Sequence, residues 1–209
     1  MNNVLLLGDS IRQGYQKAVK KTLEGKANVY YPEENCRFAS FLLRNLHVYK
    51  ELAPNGKVDV LHWNAGLWDC IRIFEEEPHT PIDVYAYYID RVCIRIKKLF
   101  PETTVIFATS TSVVSEKMNK DFMRYNEDII EYNKRAVAIV KEYGFIVNDL
   151  FSTSLTLDES AHNDPVHYNT PAATKAFTEQ VVSCIAPALG ITENITYQEA
   201  LYNDKPIGI

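Results

Sequence analysis

The sequence is poor in cysteine, and the four it has, Cys36, Cys70, Cys93 and Cys184, are scattered without paired spacing. That excludes a zinc ribbon and a Cys-x-x-Cys redox pair, and it leaves free thiols in a reducing cytoplasm as the expectation. Long apolar runs are missing too, since nothing approaches the roughly 20 residues that a membrane-spanning helix needs. The one N-terminal apolar run is short and has no basic region before it, so no signal peptide is expected. Positive charge is in deficit: 22 Lys and Arg against 27 Asp and Glu give a net charge of −5. Nucleic acid and anionic membrane are therefore not expected partners. Neither a Gly-rich phosphate loop nor a His and carboxylate metal pattern is present, so no cofactor and no metal are expected. No internal repeat or low-complexity segment competes with an ordinary globular reading.

What remains is a chain of 209 residues with 46% hydrophobic content, enough for one domain with a sizeable core. Short apolar or β-branched runs at 4–7, 27–31, 58–63, 103–108 and 145–147 read as five strands. Between and after them lie segments with helical spacing at 11–23, 37–49, 82–100, 127–143 and 171–189, stopped by Pro101 or followed by Gly144 and Gly190. The charged stretch 75–81 reads as solvated surface, and 118–125 has no clear assignment. The alternation predicts a three-layer α/β/α sandwich with a five-stranded, mainly parallel sheet and right-handed crossovers. A domain over residues 1–190 would be followed by a tail, 191–209, packing on the domain or on a second copy, which leaves a homo-oligomer open.

The first strand is organised around Val4-Leu5-Leu6-Leu7, which delivers Gly8-Asp9-Ser10 to its end. Four apolar residues bounded by polar ones suit a central strand buried on both faces. In an open parallel sheet, ligands bind beyond the carboxyl ends of the strands, so Ser10 would face that crevice near a helix N-terminus. The simpler alternative makes Asp9 or Ser10 a helix cap, since both are favoured there.

At the far end stands Asp164-Pro165-Val166-His167. Three-residue spacing within one turn puts both side chains on one side, where the carboxylate can accept the imidazole Nδ1 proton and leave Nε2 free. Such a pair can convert a serine hydroxyl into a nucleophile. A purely structural reading would make Asp164 a cap and His167 a partly buried polar residue. Of the other histidines, His47 and His79 read as solvent-facing, His62 as structural within a strand, and His162 as loop packing.

Gly8-Asp9-Ser10 and Asp164-Pro165-Val166-His167 together resemble the first and last blocks of the SGNH, or GDSL-like, hydrolases, over most of the chain. The resemblance implies a flavodoxin-like SGNH hydrolase fold with Ser10 as nucleophile and Asp164 and His167 as its partners. It also implies an oxyanion hole whose first donor is the Ser10 N–H. The middle blocks depart from the family. Where a glycine normally donates its N–H, this chain has Asn35-Cys36-Arg37, so Cys36 is either the donor or a small core residue. Where Gly-x-Asn-Asp is usual, it has Gly66-Leu67-Trp68-Asp69; Asn64 is the preferred replacement donor, while Trp68 either donates its indole N–H or shapes a wall. Asp9 and Trp68 are also candidate substrate contacts. The expected activity is a serine esterase acting on a small-acyl, notably acetyl, oxygen ester, with an acylated carbohydrate the leading substrate. The alternatives are a thioesterase or acyltransferase with the same three residues, and a catalytically silent ligand-binding domain.

Overall fold

The computed structural model describes residues 1–200; the last nine positions of the expected tail lie outside the described residues. Strand β1 (Asn2–Leu7) is followed by α1 (Ser10–Thr22), β2 (Ala27–Tyr30), α2 (Ala39–Lys50) and β3 (Val60–Trp63). Next come a short β4 (Arg72–Ile73), α3 (Ile82–Leu99), β5 (Thr104–Ala108), a short β6 (Phe122–Met123) and α4 (Asn126–Glu142). The chain then runs through β7 (Ile146–Asn148), α5 (Leu150–Leu155) and α6 (Pro171–Ala188).

Five strands form one parallel sheet in the order β2-β1-β3-β5-β7. β1 is interior, paired with β2 on one side and β3 on the other, which is why Val4, Leu5, Leu6 and Leu7 are all fully buried. Helices α1 and α6 pack together on one face, while α2, α3 and α4 cover the other. Each turns an apolar stripe inward: Ile11, Tyr15, Ala18 and Val19 from α1, and Tyr85, Ile89, Val92, Cys93 and Ile96 from α3. The three-layer α/β/α sandwich is therefore present, with the flavodoxin-like strand order. The chain leaves β1 toward one edge and returns through β3 toward the other, so the switch point of the sheet falls between the ends of β1 and β3.

Several expected boundaries move. The second helix begins at Ala39 instead of 37, because Asn35 closes a turn onto the Arg37 N–H at 2.7 Å and Arg37 takes a left-handed φ of 50°. A small antiparallel sheet, β4 with β6, and the six-residue α5 have no counterpart among the expected elements. Two paired residues carry no periodicity, and one and a half turns carry little. Of the expected tail, residues 191–200 run beside α1: the Gln198 N–H donates to the Thr22 hydroxyl at 2.9 Å, and Lys21 donates to the Glu199 carbonyl at 2.8 Å. No helix among the described residues is long and apolar enough to cross a membrane.

Candidate active site

Ser10 is the first residue of α1, at the end of β1. Asp9 caps that helix, its Oδ1 accepting from the Ile11 N–H at 3.0 Å, so the Ser10 N–H lies outside the intrahelical ladder. Gly8 has a φ of 155°, and a Cβ there would sit 1.8 Å from Oδ1 of Asn64. Only glycine lets the β3 loop close onto this turn.

The turn is held from behind by Arg12, a fully buried side chain that the sequence reading did not single out. Its guanidinium donates to the carbonyls of Gly8 (3.1 Å), Pro32 (2.7 Å) and Glu34 (2.6 Å), and to the Gln16 side chain. One side chain thus ties the turn bearing Ser10 to the loop after β2. An arginine two residues past a strand-end serine, on the inner face of the next helix, is the signal that could have found it.

From the opposite end of the chain, the turn before α6 brings in His167. Its Nε2 lies 2.8 Å from Oγ of Ser10, and its Nδ1 lies 2.7 Å from Oδ2 of Asp164. Asp164 is itself fixed by the N–H groups of Val166 (2.8 Å) and His167 (2.9 Å), which both donate to its Oδ1. Burial would raise its pKa, but these two N–H groups and the imidazole outweigh that and hold the carboxyl below its usual range. An ionised Asp164 keeps the proton on Nδ1, so Nε2 faces the serine as an acceptor. The three residues named from sequence for nucleophile, base and orienting carboxylate therefore meet within hydrogen-bond distance.

The other candidates fare differently. Cys36 is a correction: its N–H donates to the Gly8 carbonyl at 3.0 Å and its side chain lies in the core, so the loop after β2 spends that donor on the fold. Asp9 is another, because it is fully buried beneath the turn and cannot meet substrate. Burial pushes its carboxyl up, against the pull of the Asn64 side chain, the Ile11 N–H and the charges of Arg124 and His167. Asn64 is 3% exposed and packed on Gly8, with its Oδ1 lacking a hydrogen-bond partner. Trp68 is half-buried with its ring edge-on to Phe38, whose other neighbour is the His79 ring at 4.6 Å. These three form an aromatic cluster between the loops after β2 and β3, and His79 has this partner despite its exposure.

Asp69, the last residue of the third block, accepts the Ala39 N–H at 3.1 Å and so serves the N-terminus of α2, where Phe38 offers no side-chain cap. Burial raises its pKa to about 7, against the opposing Ala39 N–H and Thr80 side chain. His62 is fully buried against the Asn148 amide, and burial lowers its pKa to about 3. His162 stacks on Tyr168 with ring centroids 3.8 Å apart. His47 is exposed on α2. No group of three or more His, Cys, Asp or Glu among the described residues could hold a metal ion.

No protein-family model and no curated protein matches this chain. Solved structures do resemble it. The acetyl xylan esterase AlAXEase superposes with a TM-score of 0.69 at 15% identity, covering 88% of this chain and 99% of its own. A lipase/acylhydrolase from Enterococcus faecalis gives 0.70 at 17%, covering 96% and 100%. A GDSL-like lipase from Bacteroides thetaiotaomicron gives 0.67 at 15%, covering 90% and 89%. With its strand order, its helical layers and these neighbours over nearly its whole length, the chain has the α/β fold of the SGNH, or GDSL-like, hydrolases.

Proposed function

We propose that this protein is a serine esterase that removes a small acyl group, acetate first among them, from an oxygen ester. The observation that carries the reading is the hydrogen-bonded run from Ser10 Oγ through His167 to Asp164, with links of 2.8 and 2.7 Å. Ser10 attacks the ester carbonyl while His167 Nε2 takes its proton, and Asp164 stabilises the imidazolium that results. His167 then protonates the departing alcohol and, in the second half of the cycle, activates water to release the acid. No step in this cycle calls for a cofactor. A carbohydrate ester is the favoured substrate class, supported by the acetyl xylan esterase among the structural neighbours and by the aromatic cluster of Phe38 and Trp68.

The test is turnover of p-nitrophenyl acetate and of a panel of acetylated sugars, beside covalent labelling by a serine-directed fluorophosphonate. Turnover and labelling that vanish together in Ser10→Ala support the proposal; a folded wild-type protein showing neither overturns it. Adding a competing alcohol or replacing the oxygen ester with a thioester separates hydrolysis from acyl transfer and from thioesterase action. One observation favours a second reading, a silent ligand-binding domain: the Cys36 N–H is engaged by Gly8 and is not available to an oxyanion.

A further inference from the structure

An acyl transfer needs donors about 3 Å from the oxygen that gains charge. Two backbone donors in the loop after β2 are already engaged. The Cys36 N–H is held by the Gly8 carbonyl, and the Arg37 N–H by Oδ1 of Asn35. Trp68 stands where the family has its asparagine and leans on Phe38. That leaves the Ser10 N–H and the Asn64 amide packed on Gly8, with no glycine N–H beside them.

Arg124 follows β6 and is 4% exposed. Its Nε donates to the Leu67 carbonyl at 2.6 Å, inside the altered third block, and its guanidinium lies over the Phe122 ring at 5.4 Å. Its own carbonyl accepts from the Ser115 hydroxyl at 2.9 Å. The neighbouring Val114 N–H donates to the Pro165 carbonyl at 2.8 Å, so the same segment is tied to the turn that carries Asp164 and His167. The charge of Arg124 is felt by both Asp9, next to Ser10, and Asp164. Among the described residues no carboxylate lies within ion-pair distance of it, and neither Nη group donates to a protein acceptor. A buried guanidinium without a counter-ion is costly to the fold, and such groups concentrate where a ligand or a transient anion completes them.

We infer that Arg124 is a catalytic residue whose Nη groups donate to the substrate carbonyl oxygen as that oxygen becomes an anion, in place of the glycine donor of the family. The inference rests on the esterase reading above. In the step it serves, a bond forms between Ser10 Oγ and the carbonyl carbon, and the π pair moves onto oxygen. The Ser10 proton passes to His167 Nε2, while Arg124 and the Ser10 N–H hold the oxyanion. When the pair returns, the bond to the alkoxy group breaks and the alcohol leaves with the proton from His167.

The experiment uses p-nitrophenyl acetate, a neutral ester, and its carboxylated analogue p-nitrophenyl hemisuccinate with wild type, Arg124→Gln and Arg124→Lys, all checked for folding by circular dichroism. The expected result for Arg124→Gln is a fall in kcat of roughly 100-fold or more on p-nitrophenyl acetate, the size typical of a lost oxyanion donor, with KM little changed. Fluorophosphonate labelling should slow in parallel, and Arg124→Lys should recover part of the loss. A folded Arg124→Gln with kcat within about threefold of wild type on p-nitrophenyl acetate overturns the inference. So does an effect confined to KM for the hemisuccinate, which would make Arg124 an anchor for a substrate carboxylate. If Arg124→Gln does not fold, Arg124→Lys decides by single-turnover acylation: slowing of more than about threefold supports the inference, and anything smaller overturns it. Wild type without turnover or labelling overturns the esterase reading itself, an outcome distinct from all of these.

Discussion

Ser10 and His167 are 157 positions apart in the chain and 2.8 Å apart in the fold, Oγ to Nε2. If the pair acts as nucleophile and base, Ser10→Ala and His167→Ala should each cut kcat on p-nitrophenyl acetate by about 10,000-fold or more, and combining them should cost little beyond either alone. Steady-state kinetics on the two single variants and the double variant measure this.

Asp164 sets the tautomer. Asp164→Asn keeps an oxygen for the Val166 and His167 N–H groups but turns an NH2 toward Nδ1, so the ring proton would shift to Nε2 and the ring could no longer accept from Ser10. The expected loss in kcat is about 10,000-fold with the melting temperature nearly unchanged. Calorimetry beside kinetics separates this from unfolding.

Arg12 should matter through the fold. Arg12→Met removes donors from the Gly8, Pro32 and Glu34 carbonyls, of which Gly8 keeps the Cys36 N–H while the buried Pro32 carbonyl loses its Arg12 donor. We expect a loss of about 3 kcal/mol or more in urea unfolding, together with reduced activity because the Ser10 turn and the loop after β2 are no longer joined.

Gly8 has no tolerance for a side chain. In Gly8→Ala the new Cβ meets Asn64 Oδ1 at 1.8 Å and Arg12 Cβ at 3.1 Å while the backbone holds a φ of 155°. The expected destabilisation is about 2–4 kcal/mol by urea unfolding.

Asp69 predicts a pH dependence of stability. Its folded pKa of about 7 stands above the unfolded carboxyl value, so between roughly pH 4 and 7 the folded state keeps a proton that the unfolded chain has lost. Its contribution is therefore full below that range, falls as pH rises through it, and levels off above. Over those three pH units the loss is at most about 4 kcal/mol. Asp69→Asn, which carries no proton to lose, should flatten the slope of unfolding free energy against pH between 4.5 and 7.5. An unchanged slope would show that other groups set it.

The site was only partly legible in the amino-acid order. Gly8-Asp9-Ser10 at the end of an apolar run and Asp164 three residues before His167 identify a nucleophile, a base and its orienting carboxylate, because strand ends and single turns fix local direction. Asp9 could not be sorted the same way, since a short carboxylate after a strand suits a helix cap and a ligand contact equally; its full burial makes it the cap. Cys36 depended on where one N–H points, which the Gly8 carbonyl decides. Arg12 and Arg124 looked like ordinary charged residues, since nothing local marks a cation that the tertiary structure will enclose.

By itself, then, the sequence determined the alternation of strands and helices, the buried central strand, and the chemistry of the two terminal motifs, all of which follow from periodicity and short-range geometry. Only the tertiary structure decided which backbone donors of the loop after β2 are already engaged and which cations are buried. Those depend on β1, β2 and β3 lying side by side and on the segments after β3 and β6 meeting at Leu67 and Arg124, contacts between residues far apart in the chain.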